Sequence, residues 1–140
     1  MPLLSAGPID PATLIAEHDA PGHGGLVVFV GRVRDAHHGR AVRALEYSAY
    51  PAMAEAEAAA ILAEASTRWP VQVSACHRVG RLEVGEVAVV VVTSGGHRDE
   101  SYAANRWVID ALKARVPIWK REWFADGTSE WVDPTAAMAP

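Results

Sequence analysis

One stretch of this chain is almost continuously apolar, and it constrains the fold more than any other. Residues 86–94 read Glu-Val-Ala-Val-Val-Val-Val-Thr-Ser, and two glycines follow them. β-Branched residues next to glycine are typical of a strand. A strand that is apolar at every position, and not only at alternate ones, is covered on both faces. The sequence therefore predicts a central, fully buried strand at 86–94.

Proline and glycine divide the rest of the chain into further elements. Helices are predicted at about 11–19, at 51–69, and from Asp99 or Ser101 to about 115, each with a proline near one end. Strands or extended segments are predicted at 26–33, 42–50, 71–79, 118–124 and 129–132, with loops at 34–40 and 80–85. This order is not a steady alternation of strand and helix, so it favours an α+β sandwich with a mixed or antiparallel sheet and about three helices. We expect one domain over 1–133 and a disordered tail over 134–140.

Length, charge and cysteine content limit the class of protein. The chain has 140 residues and a formal net charge of −4, which argues against nucleic acid as its main partner. The longest apolar run, Val87 to Val92, is too short to span a bilayer, and we find no pattern of a signal peptide at the start of the chain. Cys76 is the only cysteine and lies in an apolar segment, so we expect a buried thiol and no disulfide. These features predict a cytoplasmic protein without a membrane partner.

Lysine is rare in this chain, and its two copies lie close together. Of 13 basic residues only Lys113 and Lys120 are lysines. Arginine keeps its proton, whereas a lysine can lose its proton when it is desolvated or placed beside other cations. Both lysines are therefore candidates for a nucleophile, an acid or base, or an anion holder. They could equally be solvated cations near the end of a helix, where positive charge is stabilised by the helix dipole.

Basic residues also gather at the ends of two predicted elements. Arg32 and Arg34 end the first long strand, and His97 and Arg98 follow the two glycines at the start of the third helix. Such a helix start can bind an anion through its free N–H groups. The arginines could instead protect a sheet edge from aggregation, and His97 could be a local capping residue.

The segment after Pro117 places its charges on alternate faces. With the period of two of a strand, Lys120 and Glu122 share one face and Arg121 lies on the other. We therefore predict an ion pair between Lys120 and Glu122. No metal site is predicted, because the adjacent His37 and His38 cannot easily bind one ion and no Cys/His spacing supports zinc.

Several strings of the sequence together resemble one family, the large, catalytic subunit of molybdopterin synthase. The most specific is Lys113-Ala-Arg-Val-Pro-Ile-Trp-Lys-Arg-Glu122, with the pattern K-x-R-x-P-x-W-K-x-E. The resemblance runs in order from about Gly25 to Val132. It also rests on these strings: Phe29-Val-Gly-Arg-Val-Arg34, Leu45-Glu-Tyr-Ser-Ala-Tyr50, Met53-Ala54, His77-Arg-Val-Gly-Arg-Leu-Glu-Val-Gly85 and His97-Arg98.

The resemblance implies an α/β-hammerhead-like fold and a sulfurtransferase of molybdenum cofactor biosynthesis. A small ubiquitin-like subunit with a C-terminal Gly-Gly thiocarboxylate would supply the sulfur. Two sulfurs would pass to cyclic pyranopterin monophosphate and form the dithiolene of molybdopterin. The resemblance further implies a central homodimer with one carrier at each outer end, and no cofactor.

The same resemblance implies the site residues. Lys113 and Lys120 would be catalytic, stabilising an oxyanion and moving protons. The substrate would be bound by Arg32, Val33, Arg34, His97, Arg98, Arg121 and Glu122. A basic pocket suits these reactants independently, because a cyclic phosphate and a thiocarboxylate are both anions.

Two other functions remain compatible with the residues. The chain could be a non-enzymatic adaptor whose basic groove captures a carboxylate-ended peptide. It could also be an enzyme that forms a Schiff base between a lysine and a small carbonyl compound.

Overall fold

The computed structural model describes residues 2–132, which form nine strands and three helices in that range. The predicted α+β class with three helices is confirmed. Position 133 and the predicted tail at 134–140 lie outside the described residues. In chain order the elements are β1 (Leu4–Ser5), α1 (Pro11–Ala16), β2 (Gly25–Arg32), β3 (Ala36–His37), β4 (Arg40–Ala49), α2 (Pro51–Arg68), β5 (Val71–Arg78), β6 (Gly80–Glu83), β7 (Val87–Gly95), α3 (Arg98–Arg115), β8 (Ile118–Phe124) and β9 (Ser129–Val132).

The first sheet has four strands in the order β1-β5-β7-β2. Strand β7 lies in the interior of this sheet and pairs antiparallel with both β5 and β2, while β1 pairs parallel with β5, so the sheet is mixed. Eight of the nine β7 residues are buried. The predicted strand that is covered on both faces is therefore confirmed.

The second sheet is antiparallel and is organised around β4. Strand β4 pairs with β8, with the short β6 and with the two-residue β3, and β9 extends the sheet beyond β8. A small core lies between its strands and the end of the first sheet. Its buried side chains are Val33, Val42, Leu45, Leu82, Ala88 and Phe124.

Helices α2 and α3 pack together on one face of the first sheet. The main core lies between them and the sheet, and it includes Ile61, Val91, Val108 and Leu112. The side chain of Asn105 in α3 donates to the carbonyl oxygens of Val27 and Val91, at 3.2 and 3.0 Å. These two bonds fix α3 to β2 and β7. No helix in residues 2–132 has both the length and the apolar character needed to cross a membrane.

Close approach of backbone to backbone explains one glycine in this packing. A Cβ atom at Gly25 would lie 2.9 Å from the backbone nitrogen of Arg98. Strand β2 thus begins against the first turn of α3, and a larger residue at Gly25 would force the two apart.

Three short strands were not predicted. The segments that contain β3 and β6 were predicted as loops, and β1 was not assigned any structure. A strand of two to four residues contains too few positions to show a period of two, and pairing with a longer neighbour is what fixes it. Helix α1 also ends at Ala16, three residues before the predicted end.

Candidate active site

A cavity of about 130 Å³ opens between the first sheet, the end of α3 and the start of β8. Its walls are largely apolar, with Val89, Ile109, Leu112 and Val116 among them. Five polar side chains also reach it, and these are Arg32, Tyr47, His77, Lys113 and Lys120. An apolar cavity with a few converging polar groups is the usual form of a small-molecule site.

The two lysines meet there because proline ends the helix between them. Lys113 lies in the last turn of α3, and Val116, with ψ 128°, already has an extended backbone. Pro117 pushes the residue before it out of helical geometry, and β8 begins at Ile118 and returns past the helix end. Lys120 pairs directly with Tyr47 across the β4–β8 ladder, which places both side chains on the cavity side.

The charge of Lys113 is destabilised by its surroundings. The side chain of Lys113 keeps part of its surface exposed, but desolvation at the cavity wall lowers its pKa, and the positive charges of Lys120 and Arg34 lower it further. Asp110 opposes this shift. The predicted effect of clustered cations is therefore present, although burial is the larger cause. A lysine in this state is a stronger acid than a lysine in water, and a larger fraction of it is neutral at neutral pH and available as a base or nucleophile.

Glu122 is a buried carboxylate that joins Lys120 to a second group. Its exposed fraction is 2%, and its Oε1 lies 3.8 Å from Nζ of Lys120, so the predicted ion pair is confirmed. The Nδ1 atom of His37 donates to Oε2 at 2.9 Å and lies 2.7 Å from Oε1. The carboxylate of Glu122 therefore lies between the imidazole of His37 and the ammonium of Lys120. Glu122 orients Lys120, and its burial makes it a supporting residue more than a surface for substrate.

Two arginines lie at the end of β2 and just after it, one of them in the cavity wall. Arg32 lines the cavity and donates from Nε to the carbonyl oxygen of Gly85 at 3.2 Å. Arg34 is exposed, and its charge affects the pKa values of both Lys113 and Tyr47. Val33 between them is 3% exposed and belongs to the small core. Its side chain fixes the direction of the two arginines, and direct contact between Val33 and a substrate stays a prediction without support from this arrangement.

Arg121 does not reach the cavity. It lies on the opposite face of β8 from Lys120, where Nε donates to Oγ of Ser129 at 2.9 Å. Its guanidinium carbon lies 4.4 Å from the ring centroid of Trp123 and 5.7 Å from that of Trp131. The alternation of side chains along a strand separates it from its two neighbours. Within one chain, Arg121 therefore does not line the cavity, and its contact with a substrate stays a prediction.

His97 and Arg98 lie at the far end of α3. His97 caps the helix and Arg98 begins it, and both are exposed. Because an α-helix rises about 1.5 Å per residue, Arg98 and Lys113 are about 22 Å apart along the axis. The predicted convergence of Arg34 with His97 and Arg98 is therefore not achieved inside a single chain.

The described residues contain no group of three or more His, Cys, Asp or Glu side chains arranged to hold a metal ion. Cys76 is buried among Leu14, Val90 and Val92, on the face of the sheet that α1 covers. Burial raises the pKa of its thiol, so the predicted buried, unreactive cysteine is consistent with this position.

Comparison with known proteins places this chain in a family. The model of the MoaE protein family matches residues 4–115. The chain belongs to this family. It is 45% identical over 113 residues to the molybdopterin synthase catalytic subunit of Halalkalibacterium halodurans, covering 80% of this chain and 72% of that one. The catalytic subunit of Pyrococcus abyssi is 46% identical over 111 residues, which cover 79% of this chain and 74% of that one.

The fold of this MoaE-family chain also matches a solved structure. The crystal structure of molybdopterin synthase from Staphylococcus aureus superposes with a TM-score of 0.89 at 35% identity, over 94% of this chain and 96% of that one. The fold class expected from the resemblance is thereby confirmed.

Three residues of this MoaE-family site were not predicted as functional. Tyr47 and His77 lie in strings that carry the resemblance, but no role was assigned to them. For His77 a signal existed, since by the period of two it continues the inward apolar face of Val71, Val73 and Ala75. His37 had no usable signal, because its contact with Glu122 joins positions 85 residues apart.

Proposed function

We propose that this chain is the catalytic subunit of a molybdopterin synthase and transfers sulfur to a pterin precursor. Its substrates would be cyclic pyranopterin monophosphate and the C-terminal thiocarboxylate of a small carrier protein. The observation that carries the proposal is the placement of Lys113 and Lys120 in one cavity, where burial and neighbouring cations lower the pKa of Lys113. Membership of the MoaE family and the names of the relatives support it.

The charges around the cavity suit two anionic reactants. Arg32, Lys113 and Lys120 line it, and Arg34 lies near enough to affect it. A cyclic phosphate and a thiocarboxylate would each relieve the repulsion among these cations. Arginine offers forked contacts to phosphate, whereas lysine offers a point charge. We therefore assign the phosphate to the arginines and the reacting acyl group to the lysines.

The two lysines would have different tasks. Lys113 has the lowered pKa and no ion-pair partner within residues 2–132, so it is suited to give and take protons during sulfur transfer. Lys120 lies beside the carboxylate of Glu122, which suits its ammonium group to stabilise the oxyanion formed at the thioacid carbon. Tyr47, with its pKa raised to about 12 by burial and by Glu122, stays protonated and can donate.

The proposal requires a second polypeptide. The thiol of Cys76 is buried under α1, away from the cavity, so this chain offers no sulfur carrier of its own there. The relatives are named catalytic subunits, which implies another kind of subunit in those proteins. We propose a cytoplasmic assembly of two copies of this chain, with one ubiquitin-like carrier for each.

A second copy would also account for His97 and Arg98. They cannot reach the Lys113 cavity of their own chain, because the length of α3 lies between them. If they bind the substrate phosphate as the family resemblance implies, they must serve the cavity of the partner copy. The proposed homodimer would thus complete each site.

The decisive experiment is reconstitution. The purified chain is mixed with a thiocarboxylated carrier and the pterin precursor, and the dithiolene product is measured. Product should form only when both are present. Product formation from sulfide without a carrier would contradict the proposed sulfur source. The wild-type chain should also give no adduct when borohydride is added with the precursor, whereas a stable lysine adduct would favour the Schiff-base function.

A further inference from the structure

The cavity contains many hydrogen-bond donors and few acceptors. Arg32, Lys113 and Lys120 can only donate while they are charged. Tyr47 keeps its proton, so it can donate or accept through one oxygen. His77 is the remaining polar side chain of the cavity wall. An anionic group on a substrate would satisfy the donors, but any N–H group that the substrate brings needs an acceptor.

The proton of His77 has a fixed position. Nδ1 lies 2.7 Å from the backbone carbonyl oxygen of Arg78. A carbonyl can only accept, so Nδ1 carries the hydrogen and donates it. In a neutral ring the other nitrogen, Nε2, then has a free lone pair. Within residues 2–132 it makes no hydrogen bond.

The ring of His77 is also held in place and kept neutral. Its centroid lies 4.9 Å from that of Tyr47, with the planes at 83°, an edge-to-face contact. Burial lowers the pKa of His77 to about 4, and the charge of Lys113 contributes in the same direction. A second positive charge beside Lys113 is therefore disfavoured. A proton-transfer role for His77 does not fit this position, whereas a neutral acceptor does.

We propose that Nε2 of His77 accepts a hydrogen bond from an N–H group of the substrate's heterocycle, which makes His77 a specificity-determining residue of the site. The inference rests on the proposed function, because it takes the substrate to be a nitrogen heterocycle that also carries an anionic group. In this arrangement the cations bind the anionic group, and His77 together with Tyr47 reads the ring.

The test separates ring recognition from anion binding. His77→Phe keeps an aromatic ring against Tyr47 but removes the acceptor, and His77→Gln restores an acceptor as an amide oxygen. Each full-length variant is titrated with two probes, a pterin without phosphate and inorganic phosphate. We expect His77→Phe to weaken pterin binding about tenfold, the effect of one lost hydrogen bond. Phosphate binding should not change, and His77→Gln should recover part of the pterin affinity.

A matched control and a direct measurement protect the test from misfolding. Tyr47→Phe keeps the edge-to-face contact, and its effect on pterin binding should be smaller than that of His77→Phe. In the wild-type chain, the ¹⁵N resonance of Nε2 should show an unprotonated nitrogen and should shift when the pterin binds. Equal pterin affinity in His77→Phe and wild type, or a protonated Nε2, would overturn the inference. Reconstituted turnover by the wild type is measured separately, so failure of the sulfur-transfer function is distinguishable from failure at His77.

Discussion

The two ends of helix α3 carry basic residues in very different surroundings. At the C-terminal end, Lys113 is partly exposed but lines a cavity, where desolvation and nearby cations lower its pKa. At the N-terminal end, His97 and Arg98 are exposed, and neither side chain makes a hydrogen bond within the described residues. One chain therefore builds only one end of the helix into a site.

This difference separates residues that a single chain positions from residues for which we propose a second copy. The environment of Lys113 comes from its own chain, including Lys120 of β8 and Arg34 after β2. On the proposed function, His97 and Arg98 would act only when the second copy approaches them. The expected effects of substitutions at the two ends differ accordingly.

Substitution of Lys113 should have the largest effect. Lys113→Ala should nearly abolish product formation, with a loss of about 2.7–4 kcal/mol of transition-state stabilisation. Lys113→Arg should also be inactive, because arginine cannot release a proton at neutral pH. Single-turnover rates in the reconstituted assay measure this loss. An adaptor that only binds a carboxylate-ended peptide would tolerate the arginine, so an active Lys113→Arg chain would contradict the catalytic assignment.

Arg115 provides the control for Lys113 in the same helical turn. It forms ion pairs with Glu57 at 2.7 Å and with Glu64 at 2.8 Å, on the surface between α3 and α2. Arg115→Ala should leave turnover unchanged and reduce stability by no more than about 1 kcal/mol, as for other exposed ion pairs.

Substitution at the other end of α3 should affect substrate binding more than chemistry. Arg98→Ala should raise the KM for the pterin precursor more than it weakens carrier binding. If the site is shared by two copies, a mixture of Lys113→Ala and Arg98→Ala chains should regain activity. Random pairing gives about half hybrid dimers with one intact site each. At pterin concentrations far below the raised KM of Arg98→Ala, where the variant's own sites contribute little, the mixture should show about a quarter of wild-type activity. A mixture that is no more active than the separate variants would contradict a site that takes Lys113 from one copy and Arg98 from the other.

Substitution of Glu122, the carboxylate beside Lys120, should have the next largest effect on the rate. Glu122→Gln keeps the shape but removes the charge that orients the lysine, and a misplaced catalytic group can cost up to about a hundredfold in rate. His37→Ala should lower kcat less, because Glu122 then keeps its charge and its contact with Lys120. The kcat values of both variants test this order. His38→Asn is the matched control, since asparagine tolerates the φ of 50° found at His38.

Long sequence patterns predict the helices and the central strand well. The buried strand at 86–94 and the helices bounded by Pro51, Pro70 and Pro117 all appear close to the predicted limits. The short strands β1, β3 and β6 were missed because tertiary pairing, not local pattern, creates them.

The candidate site was predictable where neighbours in sequence become neighbours in space. The pair of Lys120 with Glu122 follows from the period of two, and the approach of Lys113 follows from Pro117. The same period places Arg121 on the other face of β8, as the structure shows. The contact between His37 and Glu122 depends on how β3 folds against β8, which no local pattern encodes.

The electrostatic origin of the Lys113 shift can be tested with a neighbouring arginine. The pKa of Lys113 is lowered in part by Arg34, so Arg34→Ala should raise it towards the ordinary value. The neutral amine would then appear only at higher pH, and a rate that depends on it would shift its rising limb to higher pH. A pH titration followed by NMR of the lysine side chain measures the change directly. An unchanged pKa would mean that desolvation and Lys120 set the state of Lys113 without a contribution from Arg34.

The smallest effect is expected at Cys76, which lies near neither end of α3. Its side chain packs with Leu14, Val90 and Val92 beneath α1, and burial raises the pKa of its thiol. Cys76→Ala should lower the free energy of unfolding by roughly 1 kcal/mol, a drop in Tm of about 2–4 °C for a domain of this size. Turnover in the reconstituted assay should not change, because the thiolate form that could carry a persulfide is disfavoured at this position. A folded Cys76→Ala chain without activity would instead place sulfur on this residue, and the division of labour between a catalytic chain and a thiocarboxylated carrier would then be wrong.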